Sequence, residues 1–385
     1  MRKILFADCH HFYQYIMAGD RQYTLQFANH GWDTAYISNP LSPFNIIFGK
    51  NKKLIFNRLL NHIKNGVNIK KYLWYYEPFT FVPFHNYSFL NSDWLIDNYY
   101  RFTVPSIKAI IKKRAFSNID VLWLGTPYQK FWKDILDYKF FIYRLGDNMR
   151  ALSNISNVLL NAQDNVIKSA DLILVTSKVL LNEYKNIFSN KEFIYFPNGV
   201  DLSNFIREEY KKPIEFYKVH NRIALYIGAI DEWFDFDLLM NVAKKCREIS
   251  FMIIGPDNLG FMRKPLEKNV YYLGPRKYIE IPNYIYYCDC GIIPFKNSKL
   301  VQTICPIKMY EFFSLGKPVV SREWNELKLL DSPCLLAKNS KEFVDILKDK
   351  NTFSISSRKL VAYSQENSWY KRYIQILKIL EKRAI

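Results

Sequence analysis

Residues 289–321 read DCGIIPFKNSKLVQTICPIKMYEFFSLGKPVVS, and the order of residue types in this stretch decides the fold. Cys290–Ile293 is a short apolar run that ends in a proline-containing loop, the signature of a strand and its exit. Ile307–Leu315 then carries apolar side chains at helical spacing, opening on Pro306-x-Lys308-x-x-Glu311. Gly316-Lys317-Pro318 closes that helix, and Pro318–Ser321 starts the next strand. Strand, helix and strand in close succession belong to an α/β fold with a parallel sheet.

The same alternation extends in both directions. Downstream of Val200 the strands are Ile223–Ile227, Phe251–Ile254, Val270–Tyr272, Cys290–Ile293 and Pro318–Ser321, with helices such as Phe236–Arg247 and Lys341–Leu347 among them. Upstream they are Lys3–Ala7, Thr34–Ser38, Val121–Leu124, Phe140–Leu145, Leu172–Thr176 and Phe193–Phe196. Single cores stop growing near roughly 250–300 residues, so 385 residues predict two domains. The turn Pro197-Asn198-Gly199 and the charged segment after it mark the seam. The expected organisation is an N-terminal Rossmann-like domain over 1–205, a second over 206–364, and a helix over 365–385 that returns to the first domain with Trp369, Tyr373, Ile376, Leu377 and Leu380 on one face.

Bulk properties narrow the function. Hydrophobic residues are 49% and charged residues 23%, a globular balance that excludes a disordered chain. Six cysteines are scattered without a C-x-x-C pair, as expected of buried thiols in a reducing compartment. The N-terminal apolar run is broken by Asp8, His10 and His11, so it reads as a strand and not a signal, and nothing reaches the roughly 18 apolar residues of a membrane span. A cytoplasmic protein, peripheral at the cytoplasmic membrane face, is expected. The net charge of +18 attracts anions, whether phosphate-bearing substrates, acidic lipid or nucleic acid.

An insertion over 45–76 departs from the α/β alternation. Leu54, Ile55, Leu59 and Ile63 fall at near-helical spacing with Lys52, Lys53, Arg58, Lys64, Lys70 and Lys71 around them, and the aromatic cluster Tyr72, Trp74, Tyr75, Tyr76 follows. Two readings stand. The element adsorbs to an anionic membrane, lysines on lipid phosphates, or its apolar stripe packs on the core.

The segment Asp289–Ser321 resembles the donor-binding signature of bacterial GT-B glycosyltransferases. The resemblance implies two Rossmann-like domains facing across a cleft, with a nucleotide-sugar donor held by the second. A helix N-terminus presents free N–H groups and partial positive charge to a diphosphate, and Lys308 adds a full charge. Glu311, one turn on, is implied to accept from the ribose hydroxyls, flanked by Pro306, Ile307 and Tyr310. Phe196-Pro197-Asn198-Gly199-Val200-Asp201 looks like the interdomain turn of these enzymes, Gly228 like their glycine loop, and Gly274-Pro275-Arg276 like the loop where the nucleobase docks. The chain departs from the large retaining family four: Thr303 stands where the first of two glutamates would be, and Asp231–Asp237 replaces a basic clamp, shifting that role to Lys308, Arg276 or Lys296. With Tyr143-Arg144-Leu145-Gly146-Asp147-Asn148 it looks closer to the xanthan glucuronosyltransferase and teichuronic-acid-type transferases.

That motif implies a general base, Asp147, past the C-terminal end of a buried strand, the edge where α/β sheets place ligands. The alternative is that Asp147 caps the following helix. His10 and His11, ending the first strand, are rival bases. Asp235-Phe236-Asp237 imitates a metal-binding D-x-D but opens a helix, so capping is expected and no metal or other cofactor is required. The expected activity is sugar transfer from a nucleotide-sugar donor, a UDP-sugar foremost, to a lipid-linked or growing bacterial saccharide. The alternatives are a nucleotide-sugar epimerase of the same architecture and, in another class, a basic protein binding nucleic acid or another polyanion.

Overall fold

A computed structural model describes every residue except 14–18, 50, 84–91, 154, 350–352 and 354. The chain divides into unit 1, Met1–Phe196 with Tyr373–Ile385, and unit 2, Pro197–Arg372. The division precedes the sequence-based boundary at 205, because Val200 bridges to Ser368 and Asn198 donates to Cys305 O at 2.8 Å, both inside unit 2.

Unit 1 is built on a sheet of β1 (Lys3–Ala7), β2 (Asp33–Ile37), β3 (Val67–Lys70), β4 (Leu73–Tyr76), β5 (Asn118–Leu124), β6 (Asp137–Leu145), β7 (Leu172–Val175) and β8 (Phe193–Tyr195). Their order is β3-β4-β2-β1-β5-β6-β7-β8, and every pair is parallel except the hairpin β3–β4. Parallel strands are covered on both faces, which is why β1, β5 and β7 are nearly continuous apolar runs. The last thirteen residues complete this unit: the Tyr373 ring meets Phe27 edge-on at 5.0 Å and stacks on His30 at 4.5 Å.

Unit 2 has six parallel strands, β9 (Arg222–Ile227), β10 (Ile249–Ile254), β11 (Val270–Gly274), β12 (Cys290–Ile293), β13 (Val319–Arg322) and β14 (Leu335–Ala337), in the order β11-β10-β9-β12-β13-β14. The helix Ile307–Ser314 joins β12 to β13.

The insertion corrects the sequence reading. It forms α2 (Pro43–Phe48) and α3 (Lys52–Ile63), which follow α1 (Gly19–Asn29), and then the unexpected hairpin β3–β4. Trp74, Tyr75 and Tyr76 are strand residues at most 4% exposed, so they belong to the core and to no interfacial belt. Arg58, expected among the surface cations, is buried at 5% exposure because it pairs with Glu77, Nε to Oε2 3.1 Å. Lys52, Lys53, Lys64 and Lys71 are exposed and Lys70 half-buried. Among the described residues no helix is long and apolar enough to cross a membrane.

Candidate active site

In unit 2 the helix Ile307–Ser314 starts at the C-terminal edge of the sheet, with Pro306 as its N-cap. Proline suits a helix start because the N–H it lacks would have no partner there. Lys308 Nζ donates to Glu311 Oε2 at 2.7 Å; the Lys308 side chain is 25% exposed and that of Glu311 1%. Glu311 Oε1 has no hydrogen-bond partner. Burial raises the pKa of Glu311 and Asp201 adds to the rise, while Lys308 and, more weakly, Tyr278 oppose it. A buried carboxylate with one oxygen unused is costly on its own and is a ready acceptor for a ligand hydroxyl.

Glycines at the ends of β9, β10 and β11 bring those three strand ends together. Gly228 N–H donates to Ile254 O at 3.0 Å, and Gly255 N–H to Gly274 O at 3.1 Å. A Cβ on Gly255, whose φ is +148°, would lie 1.8 Å from Gly228 O, so no other residue fits there. Gly274, at φ +71°, turns the chain toward Tyr278, whose ring lies 5.7 Å from Lys308 Nζ.

Other expected donor residues sit differently. Ile307 is half-buried and Pro306 buried at the helix start, whereas Tyr310 is fully buried, stacked on Tyr363 at 6.0 Å and 3.6 Å from Cys305 Sγ. Tyr310 therefore serves the core, since its ring position on the helix points inward with Met309 and Phe313. Arg276 is held in place: Nη2 reaches Glu215 Oε1 at 2.7 Å, Nε donates to the Tyr284 hydroxyl at 2.9 Å, and Nη1 donates to Leu273 O. Its charge braces the loop instead of standing free. Asp235 Oδ1 accepts from Leu238 N at 2.9 Å as a helix cap, and Oδ2 pairs with Arg322 at 3.3 Å. Thr303, buried, donates to Leu300 O at 2.9 Å, and Lys296 Nζ lies 5.7 Å from the Phe261 ring.

Unit 1 gathers charge at the ends of β1, β5 and β6. Asp8, 1% exposed, accepts from Cys9 N at 2.7 Å and from the Tyr36 hydroxyl at 2.9 Å, and its Oδ2 lies 3.2 Å from His10 Nδ1. Burial would raise Asp8, yet His10 and these bonds hold it down to about 2. His10 is raised well above its ordinary value by Cys9 and, against burial, by Asp8. Burial also pushes the Cys9 thiol up. Asp20 lies beside them, accepting from Trp123 Nε1 at 2.7 Å and Arg144 Nη1 at 3.1 Å. Gly125 makes this possible: a Cβ there would be 2.6 Å from Asp20 Oδ2 and 3.2 Å from Asp8 Oδ1.

Asp147 follows β6, exposed, and adds to the electrostatic hold on Arg144. The short helical turn after it, Met149–Ala151, has Asn148 at its N-cap without a side-chain bond, so Asp147 does not cap it. His11 belongs to another cluster, Nδ1 3.3 Å from Glu77 Oε1. Glu77 is fully buried, bonded by Arg58, Ser38 at 2.5 Å and Tyr75, and although burial would raise it, these partners hold it at about 2. Sequence reading missed Asp20, Glu77 and Tyr278, took Asp8 only as a break in an apolar run, and took Arg144 only as part of the motif around Asp147; for Asp8, Arg144 and Glu77 a charged residue inside or just past an apolar strand was the available signal. Among the described residues Asp8, Cys9 and His10 are the group whose atoms could together meet a metal ion. Asp8 already accepts from Tyr36 and Cys9, and the trio reads as a hydrogen-bonded cluster.

Residues 221–349, about a third of the chain, match the family described as Glycosyl transferases group 1. Fold and matched stretch agree on the class: two parallel-sheet α/β units of the GT-B type, the second containing the residues that match the group 1 glycosyltransferase family. Among particular proteins, the chain is 27% identical over 254 residues to TuaH of Bacillus subtilis (strain 168), described as a teichuronic acid biosynthesis glycosyltransferase. That match covers 62% of this chain and 64% of the relative's length. Sucrose-phosphate synthase from Thermosynechococcus elongatus shares the fold at a TM-score of 0.73 and 12% identity, with 99% of each chain covered. Anabaena HepE, solved with UDP and glucose, does so at 0.66 and 16%, covering 99% of this chain and all of that one.

Proposed function

We propose that the chain transfers a sugar from a nucleotide-sugar donor, a UDP-sugar, to a lipid-linked or growing saccharide, working as a peripheral protein on the cytoplasmic face of a membrane. The observation that carries this reading is Glu311: a buried carboxylate in the first turns of a helix, one oxygen on Lys308 and the other unused, within the segment that matches the group 1 family. The unused oxygen suits a ribose hydroxyl. The helix start and Lys308 suit the diphosphate, and they supply its counter-charge without calling for a metal. HepE binds UDP and glucose, and TuaH belongs to teichuronic acid synthesis, which favours the same donor and a polysaccharide acceptor here.

The base in this reading is Asp147, an exposed carboxylate at the sheet edge that caps nothing. It takes the proton of the acceptor hydroxyl as that oxygen attacks the anomeric carbon and the nucleoside diphosphate leaves. His10 is the weaker candidate, because its Nδ1 is already engaged 3.2 Å from Asp8 Oδ2. His11 faces the Glu77 cluster. Incubation with UDP-sugars and a lipid-linked saccharide tests the proposal. Acceptor-dependent release of UDP supports it; sugar that changes configuration while still attached to its nucleotide would identify an epimerase instead.

A further inference from the structure

Helix α3 is amphipathic in the reverse of the usual sense. A helix lying on a core buries its apolar stripe and offers polar side chains to water. Here the buried residues are Arg58 and Asn61. Arg58 pairs with Glu77 and donates through Nη2 to Asn39 O at 2.9 Å; Asn61 accepts from Glu77 N at 2.7 Å and donates to Tyr75 O at 3.1 Å. Of its six apolar residues Leu54, Ile55 and Leu59 are half-buried, and the other three face water. Phe56, Leu60 and Ile63 are 58%, 37% and 64% exposed, and their i, i+4, i+7 spacing puts them on one face.

Helix α2 extends the surface. None of its residues is buried, and Phe44, Ile47 and Phe48 are 39%, 64% and 71% exposed. Lys52 Nζ donates to Ile46 O and Ile47 O at 3.1 Å each, fastening the start of α3 to the end of α2. The polar network underneath fixes the orientation, because rolling α3 to hide its apolar face would bury lysines and strip Glu77 of its cation. Six large apolar side chains within twenty residues are thus kept in water at a cost that only a covering partner offsets.

Charge identifies that partner. Lys52, Lys53 and Lys64 are exposed around the apolar side chains, and no Asp or Glu occurs from Pro43 to Tyr76. A second copy would bring the same positive charge face to face with itself. We infer that α2 and α3 seat unit 1 on an anionic lipid bilayer, with Phe44, Ile47, Phe48, Phe56, Leu60 and Ile63 at the acyl boundary and the lysines at the lipid phosphates. This deepens the membrane-face reading above, and its test uses neither donor nor acceptor, so failure of sugar transfer and failure of docking are separable.

The test is sedimentation of the full chain with phosphatidylcholine vesicles, with and without phosphatidylglycerol. The wild type pellets with the anionic vesicles. The triple variant Phe48→Ser, Phe56→Ser, Ile63→Ser loses at least about tenfold in partition coefficient at low and high salt alike. The triple variant Lys53→Gln, Lys64→Gln, Lys71→Gln loses about fivefold per charge at low salt, and the difference shrinks at high salt. All the substituted residues are exposed, and an unchanged circular dichroism spectrum and melting transition in both variants verify the fold. An apolar variant that pellets like the wild type, or a wild type that stays in solution, overturns the inference. So does a lipid-free dimer that the apolar variant abolishes without any change in vesicle binding.

Discussion

Replacing Glu311 by Gln should make the protein more stable and its nucleotide binding worse. The wild-type carboxylate is 1% exposed, has one ion pair, and leaves Oε1 unbonded. An unsatisfied buried polar group costs about 1–3 kcal/mol, and the amide removes the charge from that oxygen, so a gain near 1 kcal/mol is expected in the unliganded protein. For a unit of this size that is a rise of about 2–4 °C in its melting temperature. The sign with pH follows from the raised pKa of Glu311. A carboxyl that binds its proton more tightly when folded loses stability as pH rises past the unfolded value near 4.5, so the variant's advantage appears above that pH and vanishes below it. Binding moves oppositely. Losing a charge-assisted bond to the ribose costs about 1.5–3 kcal/mol, or about 10–150-fold in Kd for UDP. Scanning calorimetry and titration calorimetry on one preparation read both. A variant that melts lower, or that binds UDP as the wild type does, would refute the assignment.

Asp147→Asn should keep UDP affinity and fold while acceptor-dependent turnover falls about 10²–10⁴-fold; turnover near wild type would remove Asp147 as base and direct the search to His10. Asp8 and Glu77 are both held at about 2, so their contribution is present above about pH 4.5 and should be lost as pH falls toward 2, visible as an acid-unfolding limb followed by circular dichroism. Arg58→Met removes the main partner of buried Glu77 and should cost about 3–5 kcal/mol in urea unfolding; a loss under 1 kcal/mol would mean the network does not hold α3. Gly125→Ala places a Cβ 2.6 Å from Asp20 Oδ2 and should cost about 1–3 kcal/mol with weakened turnover, measured by melting and by UDP release.

The strands legible in advance were the buried parallel ones, because burial on both faces writes them as plain apolar runs: Cys290–Ile293 has the same limits in sequence and structure. β4 was hidden by its chemistry. Within it Trp74–Tyr76 is a run of bulky aromatics following a basic stretch, which suits a membrane interface as well as a core, and only its pairing with β2 decides between them. The Lys308–Glu311 pair could be read from helix periodicity, since three residues make nearly one turn. The reversed polarity of α3 could not. Arg58 and Asn61 look like surface residues until Glu77, nineteen and sixteen positions on, is brought under them. Arg276 looked available for the same reason, its partner Glu215 lying 61 residues earlier.

The last thirteen residues also fix an order of events in synthesis. Unit 2 is one continuous stretch, while unit 1 needs Tyr373–Ile385 to cover Phe27 and to bring Arg383 to Glu192. A ribosome adding about 5–20 residues per second finishes the eight strands of unit 1 and then spends about ten to thirty-five seconds on unit 2 before the closing helix emerges. Through that interval the first-made half of the protein waits with an uncovered aromatic surface, and the half made later is the first to be whole. Shortening the chain by those thirteen residues would therefore injure the opposite end of the sequence, exposing the nascent unit to chaperones and proteases while leaving unit 2 able to fold.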